Sequence, residues 1–304
     1  MIHQFIFASP RPGMSEEAFQ RYWVEVHAVR YASRIPQIRR YMIDTRIPLP
    51  GETALPRWSG VAEIWLANAE EQLASLQTPE FLLGARADEP NWAAFWLTAG
   101  LDTTAHEIFP GPPETRNSGM AKLLMLSKRR EGLPLQAFKD YCLGQHAARV
   151  LQVPGLRRYV QGHVVDGFYS VGEAVLDCVE QLWFDNVDAL LDANRSMQQQ
   201  IVRADYRLFT EERYLHEMIV RENWVIGPEP RPTRRAFPRR RSLSIGQEKP
   251  GCRLKAPEVL HHRPGRSGDG RPLRPALAQP AAVPRQERRL RLYRLGLGGG
   301  GRPY

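Results

Sequence analysis

Three cysteines in 304 residues, at positions 142, 178 and 252, are too few, too scattered and odd in number to frame a disulfide-stapled fold or a zinc site. Eighteen apolar residues never run together, so no membrane-spanning helix is expected. The opening stretch, MIHQFIFASPRPG, lacks the basic start and long apolar run of a secretory leader, and the expected compartment is the cytosol. There is no phosphate-binding loop, no dinucleotide fingerprint and no nucleophile elbow, which removes the commonest routes to nucleotide binding and serine hydrolysis. A basic surface is also missing where it would count. From residue 227 onward, 19 Lys and Arg stand against 5 Asp and Glu, a balance of +14 that leaves −5 for residues 1–226 out of the formal +9. Any nucleic-acid partner would therefore rest on the tail alone.

What the sequence does have is a repeat. GMSEEAFQRYWVEVHAVR, residues 13–30, is echoed by GLPLQAFKDYCLGQHAAR, residues 132–149. Gly13, Phe19, Tyr22, His27, Ala28 and Arg30 return as Gly132, Phe138, Tyr141, His146, Ala147 and Arg149, all at one offset. Arg39-Arg40-Tyr41 returns as Arg157-Arg158-Tyr159, and Trp65 as Trp183, at an offset of 118. Matching motifs in the same order mark an internal duplication. Unit one is expected over 1–110 and unit two over 120–226, with the Pro/Gly joint FPGPPETRNSG (109–119) between them.

Each unit yields the order β-α-β-β-α-β. In unit one the strand candidates are IHQFIFA, QIRRYMID, GVAEIWL and AHEIF; the helices are 15–33, started by Ser15 with acidic residues in its first turn, and NAEEQLASLQ. Unit two offers AKLLMLS, a helix over 134–151, GLRRYVQG, VLDCVEQLWF, NVDALLDAN and LHEMIV. This is the ferredoxin-like order of an α+β protein. A four-stranded antiparallel sheet with its helices on one face leaves the other face bare. Two such sheets facing each other close an α/β barrel, so the expectation is an intramolecular pseudo-dimer, monomeric as a chain or a homodimer of such chains. The segment 227–304 is dense in Arg, Pro and Gly, has no apolar period and is expected to be disordered. Three readings of it stay open: a basic arm, the product of an out-of-frame or read-through end, or a plain solvated tail.

The repeated helix carries the chemistry. At about 100° per residue with Phe19 at the origin, Val26, Arg30, Trp23, Tyr22 and His27 share one face, His27 at its rim near about +80°. Unit two repeats this with Phe138, Tyr141, Cys142, His146 and Arg149. A histidine at the edge of an apolar face is commonly a satisfied core residue. If the site is functional, His27, and His146 in its copy, are acid–base groups; Tyr22 or Tyr41 would stabilise an oxygen anion; Arg30 or Arg39 would hold a carboxylate. Trp65 and Trp183 are candidates for core or cavity wall. His106 and His216, each followed by Glu, start equivalent strands; strand-end solvation is the expectation for them, with a place for one of them on the same cavity as the alternative, and His261-His262 is negligible as a metal site.

Phe19, Tyr22, Trp23, His27 and Ala28, followed by Pro36, Arg39, Arg40 and Tyr41, resemble the EthD family of the dimeric α/β-barrel superfamily. Unit two matches at Phe138, Tyr141, His146, Ala147, Pro154, Arg157, Arg158 and Tyr159, with Cys142 where the pattern has Trp. The resemblance covers about 1–225. It implies a ligand cavity between helices and sheet in each half and a cofactor-free decarboxylase, dehydratase or cyclase acting on an aromatic or polyketide-like small molecule. It equally admits a non-catalytic ligand-binding or accessory protein. Under the enzyme reading the catalytic set is His27, Tyr22, Tyr41 and His146. Phe19, Trp23, Arg30, Arg39, Trp65, Tyr141 and Tyr159 would line the ligand, without metal or cofactor.

Overall fold

The computed structural model describes residues 1–232 apart from Ala54 and Val171. Unit one runs β1 (Ile2–Ala8), α1 (16–30), β2 (Arg40–Arg46), β3 (Gly60–Leu66), α2 (Ala69–Ser75), α3 (80–88) and β4 (Ala99–Phe109). Unit two follows with β5 (Ala121–Ser127), α4 (135–150), β6 (Arg158–Val164), β7 (Cys178–Phe184), α5 (Val187–Arg195), α6 (Met197–Phe209) and β8 (His216–Ile226). None of these helices is long and apolar enough to cross a membrane.

The eight strands close an antiparallel barrel in the order β1-β3-β2-β8-β5-β7-β6-β4. The order within each half is the same, and the halves meet where β2 pairs β8 and β4 pairs β6. The two sheets therefore join along both edges as well as facing one another, which removes every free strand edge. The tandem ferredoxin-like pseudo-dimer expected from the repeat is what the chain forms. β3 and β5 fall on the apolar runs of the sequence because their residues are buried on both faces, towards the helices and towards the lumen, whereas β1 alternates between buried and half-buried positions.

Successive residues alternate between these faces. In the lumen, Phe5, Phe7, Val61, Leu124, Leu126, Val179 and Val220 form one cluster. Under the helices of unit one lie Phe19, Trp23, Ile38, Tyr41, Ala62 and Ile64, and under those of unit two Phe138, Cys142, Tyr159, Leu182, Tyr206 and Phe209. The lumen also holds a charge cluster. Lys122, wholly buried, places its Nζ 2.7 Å from Asp44, 2.6 Å from Glu63 and 3.0 Å from Glu222. His3 Nε2 lies 2.7 Å from the other Glu63 oxygen.

Two features depart from the sequence expectation. β4 and β8 each have 11 residues, about twice the expected length, because they serve two neighbours, one in each half. Each unit also has a second helical segment after its third strand, α3 and α6, so that the order is β-α-β-β-α-α-β. The start of the tail is anchored: Arg231 donates its backbone N–H to Arg39 and its guanidinium to the carbonyls of Ser33, Ile35 and Ile38. The expectation of disorder beyond Pro232 lies outside the described residues.

Candidate functional site

Helix α1 begins as the sequence predicts, with Ser15 Oγ accepting the N–H of Ala18. It then passes through a π-helical turn, Trp23–His27, before a last α turn, Ala28–Arg30. A π turn holds one residue more than an α turn, so everything beyond it is rotated by about 100°. His27 thereby moves from the rim of the apolar face to its middle and is 6% exposed, while Arg30 swings out and is exposed. The placement of Arg30 on the sheet-facing stripe is thus corrected. Helix α4 repeats the device with a π turn at Cys142–His146 and buries His146 completely.

In unit one, His27 Nδ1 lies 2.9 Å from Asp88 Oδ2 on α3. Tyr22 donates its hydroxyl to Asp88 Oδ1 at 2.9 Å, and Asn91 donates to the same oxygen at 3.0 Å. Trp92 Nε1 also approaches His27 Nδ1, at 3.1 Å. An indole N–H only donates and a carboxylate only accepts, so Nδ1 serves one of them at a time. The shorter contact and the charge favour Asp88, whose pKa is held down by Asn91, His27 and Tyr22 against the opposing effect of its burial. That bond puts the proton on Nδ1 and leaves Nε2, without a protein partner among the described residues, as the basic nitrogen. Burial lowers the pKa of His27, with Asp88 pulling the other way, so the ring is neutral at pH 7. Burial and Asp88 together raise Tyr22 to about 12, which keeps it a hydrogen-bond donor.

His27 faces a cavity of about 80 Å³, walled by Trp23, Ile38, Tyr41, Ala62, Ile64 and Trp92. Phe19 backs this wall, its ring 5.3 Å from both Trp23 and Trp92. Burial raises the pKa of Tyr41, against a hydrogen bond from Trp23, so the phenol stays protonated. Thr98, which also lines the cavity, follows an exposed apolar turn, Phe95–Leu97. The Trp23 ring seats over Gly60, where a Cβ would come within 3.1 Å of the indole and 2.8 Å of the Asp44 carbonyl. Unit two has Cys142 and Cys178 at these two places, exchanging a large–small pair for two residues of middle size.

The copy in unit two is filled. His146 Nδ1 lies 2.7 Å from Asp205 Oδ2, and Tyr141 donates to Asp205 Oδ1 at 2.7 Å, as in unit one. Glu180, however, stands where unit one has Ala62. It accepts hydrogen bonds from Tyr206 (2.9 Å) and Tyr159 and sits 3.4 Å from His146 Nε2, an ion-pair contact. Gln161 donates to the Tyr159 hydroxyl at 2.6 Å and to the Cys142 carbonyl at 2.9 Å. Burial alone would lower the pKa of His146, but Glu180 and Asp205 outweigh it and carry it to about 9. One histidine is a neutral base on a cavity; its counterpart is a buried cation between two carboxylates.

The structure gathers Tyr22, Trp23, His27 and Tyr41 at one site, with Phe19 behind, and Tyr141, His146 and Tyr159 at the other. It does not bring Arg30, Arg39 or Trp65 to the His27 cavity. Arg39 is bonded to Glu71 at 3.0 Å. Trp65 points into the lumen, stacked on His3 at 4.3 Å, because strand alternation sends it to the face opposite Ile64. Sequence reasoning missed Asp88 and Asp205. A signal existed: Arg86-Ala87-Asp88 and Arg203-Ala204-Asp205 repeat at an offset of 117. Among the described residues, no group of three or more His, Cys, Asp and Glu is arranged to hold a metal ion.

No curated protein matches the chain. An anthrone oxidase-like protein shares the fold, with a TM-score of 0.52 at 10% identity over 73% of this chain and 92% of that one. An EthD-family protein from Bacillus halodurans C-125 is 26% identical over 33% of this chain and 95% of its own, with a TM-score of 0.29. A mutant chlorite dismutase from Candidatus Nitrospira defluvii is 7% identical over 72% of this chain and 91% of that one, with a TM-score of 0.38. The EthD domain itself is matched twice, over residues 11–95 and 130–213, and the chain belongs to the EthD family.

Proposed function

We propose that this chain is an acid–base enzyme in which His27 of unit one takes a proton from an oxygenated aromatic or polyketide-like small molecule. What carries the reading is the open, apolar cavity at His27, with Asp88 behind the ring, set against the filled copy at His146. The C–H bond beside a carbonyl breaks, its proton goes to Nε2, and the electron pair passes to the carbonyl oxygen. Tyr41, held protonated by burial, donates to that oxygen. Asp88 stabilises the imidazolium that forms, and Tyr22 and Asn91 fix Asp88. No cofactor is needed for this step. The cavity takes the reactive ring of a molecule, and the exposed Phe95–Leu97 turn gives the rest of an apolar ligand a place to lie.

The carbanion so formed is common to dehydration and cyclisation, and decarboxylation reaches the same kind of carbanion by losing carbon dioxide instead of the proton; these are the reactions this reading favours. The likeness to an anthrone oxidase-like protein supports a second outcome, capture of the same carbanion by dioxygen. An exchange assay tests the shared step. In D2O, the wild type is expected to speed loss of the acidic C–H of anthrone, followed by NMR without oxygen. His27→Gln should lower that rate by about 10²–10⁴-fold, and His146→Gln should leave it within about threefold, the loss expected where no base is removed. Equal rates for wild type and His27→Gln would leave a binding or accessory role. Admitting oxygen then separates the two outcomes by whether it is consumed. Protonation of His27 removes the base, so exchange should fall with acid, with its midpoint below 6.5.

A further inference from the structure

A second cavity, of about 260 Å³, opens at one end of the barrel lumen, on the opposite face of β2 and β3 from His27. Its walls come in repeat-related pairs at the offset of 118: Arg40 and Arg158, Met42 and Val160, Glu63 and Gln181, Trp65 and Trp183. The pseudo-twofold axis of the duplication therefore passes through it. Arg40 lies over Trp65 at 4.4 Å and Trp224 at 4.9 Å, and Arg158 over Trp183 at 4.9 Å. Stacking on indole holds each guanidinium flat and pre-oriented.

Between the two arginines sits a carboxylate from the joint. Glu114 Oε1 is 2.6 Å from Arg158 Nη1, and its other oxygen bonds Arg40. Glu107, at the rim, reaches Arg158 only at 3.4 Å. Even so, the Nε atoms of Arg40 and Arg158 are buried with no hydrogen-bond partner among the described residues. Deeper in the cavity wall, His3 is 3% exposed and its Nδ1 is likewise unpartnered. His3 Nε2 faces Glu63, and burial lowers the ring's pKa, so Nδ1 is a bare acceptor. The cavity thus offers two unused cationic donors beside an occupied clamp, aromatic walls and a buried acceptor.

We infer that the barrel mouth is a binding site for a small planar aromatic carboxylate, with Glu114 as a tethered occupant that the ligand displaces. The carboxylate takes the Arg40–Arg158 clamp, as Glu114 does, and gains the idle Nε–H groups. The ring enters between Trp65 and Trp183, and a ring hydroxyl would reach the acceptor on His3. Glu114 is carried on the Pro/Gly joint between β4 and β5, outside both strands, so it can leave without breaking the barrel. This inference is independent of the reading of His27.

Calorimetric titration of the full chain with benzoate, and with benzamide as neutral control, tests it. A tethered side chain competes at millimolar effective concentration, so Glu114→Gln is expected to bind benzoate about tenfold more tightly than wild type. Benzamide should bind neither. Adding Arg158→Gln or Arg40→Gln to Glu114→Gln should abolish binding, whereas adding His27→Gln should leave it unchanged. Far-UV circular dichroism and the milder Arg158→Lys, expected to weaken binding through loss of the planar fork, cover a variant that misfolds. The inference is overturned if Glu114→Gln binds benzoate no better than wild type, which would make Glu114 a structural latch. It is equally overturned if benzamide binds as well as benzoate, or if binding is lost with His27 and not with the arginines.

Discussion

Lys122→Met is expected to lower the free energy of unfolding by about 3–5 kcal/mol, the cost of removing one partner from a buried ionic cluster. Lys122 is wholly enclosed in the lumen and is the hub of Asp44, Glu63 and Glu222. Burial disfavours its charge, yet the carboxylates, Asp44 foremost, raise its pKa above the ordinary lysine value. Three carboxylates around one ammonium cannot all stay ionised. Burial pushes the Asp44 carboxyl well up, with Lys122 pulling the other way, whereas Lys122 and His3 hold Glu63 down against its own burial. Methionine fills the lysine's volume and removes the cation the cluster encloses, leaving Glu63 with His3 and with the Gln181 amide, which donates to it at 2.7 Å.

The sign of the pH dependence separates this cause from a packing defect. In Lys122→Met the stranded carboxylates have folded pKa values above their unfolded ones. The folded state then binds more protons than the unfolded state near neutrality, and the variant gains stability as pH falls towards 5. Guanidinium unfolding at pH 7 and pH 5 measures it. Glu63→Gln with Asp44→Asn should restore much of the loss in the same background. A loss under about 1 kcal/mol, or one that does not change with pH, would mean the cluster is hydrated and not a buried ionic hub.

Much of the fold was legible because duplication and hydrophobicity act at the same residues. Ile2–Ala8, Gly60–Leu66 and Ala121–Ser127 are strands where the apolar runs stand, and the repeated helix begins at its Ser15 cap. The first half of β4, Ala99 to Thr104, was not legible: apart from Leu101 its residues are small or polar, and it is held by pairing to β1, a long-range contact. Helix α6 was missed because MQQQIVRADYRLF shows its apolar stripe, Val202, Tyr206 and Phe209, only among polar neighbours. The site was half legible. His27, Tyr22 and Tyr41 stand out in the repeat, but a regular helical wheel cannot contain a π turn, and so it misplaced His27 and Arg30. Glu63 and Lys122 sit in runs that look uniformly apolar, and strand alternation alone does not say which face is lumen. Arg40 and Arg158 were visible as repeats, but what joins them, Glu114, lies in a joint that looks like mere punctuation.

Glu180 is where the two halves diverge, and its replacement should have the second large effect. Glu180→Gln is expected to cost about 3–5 kcal/mol at pH 7 and to bring the His146 pKa down from about 9 towards its ordinary value. Glu180 is fully buried and is the first of the groups that raise His146. In the wild type, His146 is raised when folded, so the stability it contributes is complete below pH 6.5 and is lost as pH rises through about 9. That contribution is on the order of 3 kcal/mol, from a shift of this size. His27, lowered when folded, has the opposite sign: its contribution is complete above pH 6.5 and is lost as pH falls below it. Unfolding curves from pH 5 to 9.5 for wild type, His27→Gln, His146→Gln and Glu180→Gln should therefore show two histidines of one ancestry pulling stability in opposite directions. In Glu180→Gln the decline between pH 6.5 and 9 should largely disappear. If NMR finds His146 titrating below 6.5 in the wild type, Glu180 is protonated and the buried ion pair is absent. The physical reason for the divergence is one position on one strand face. With Ala62, the space under the helices stays open and the histidine stays a base; with Glu180, two tyrosines and an imidazolium close over a carboxylate and the space becomes core.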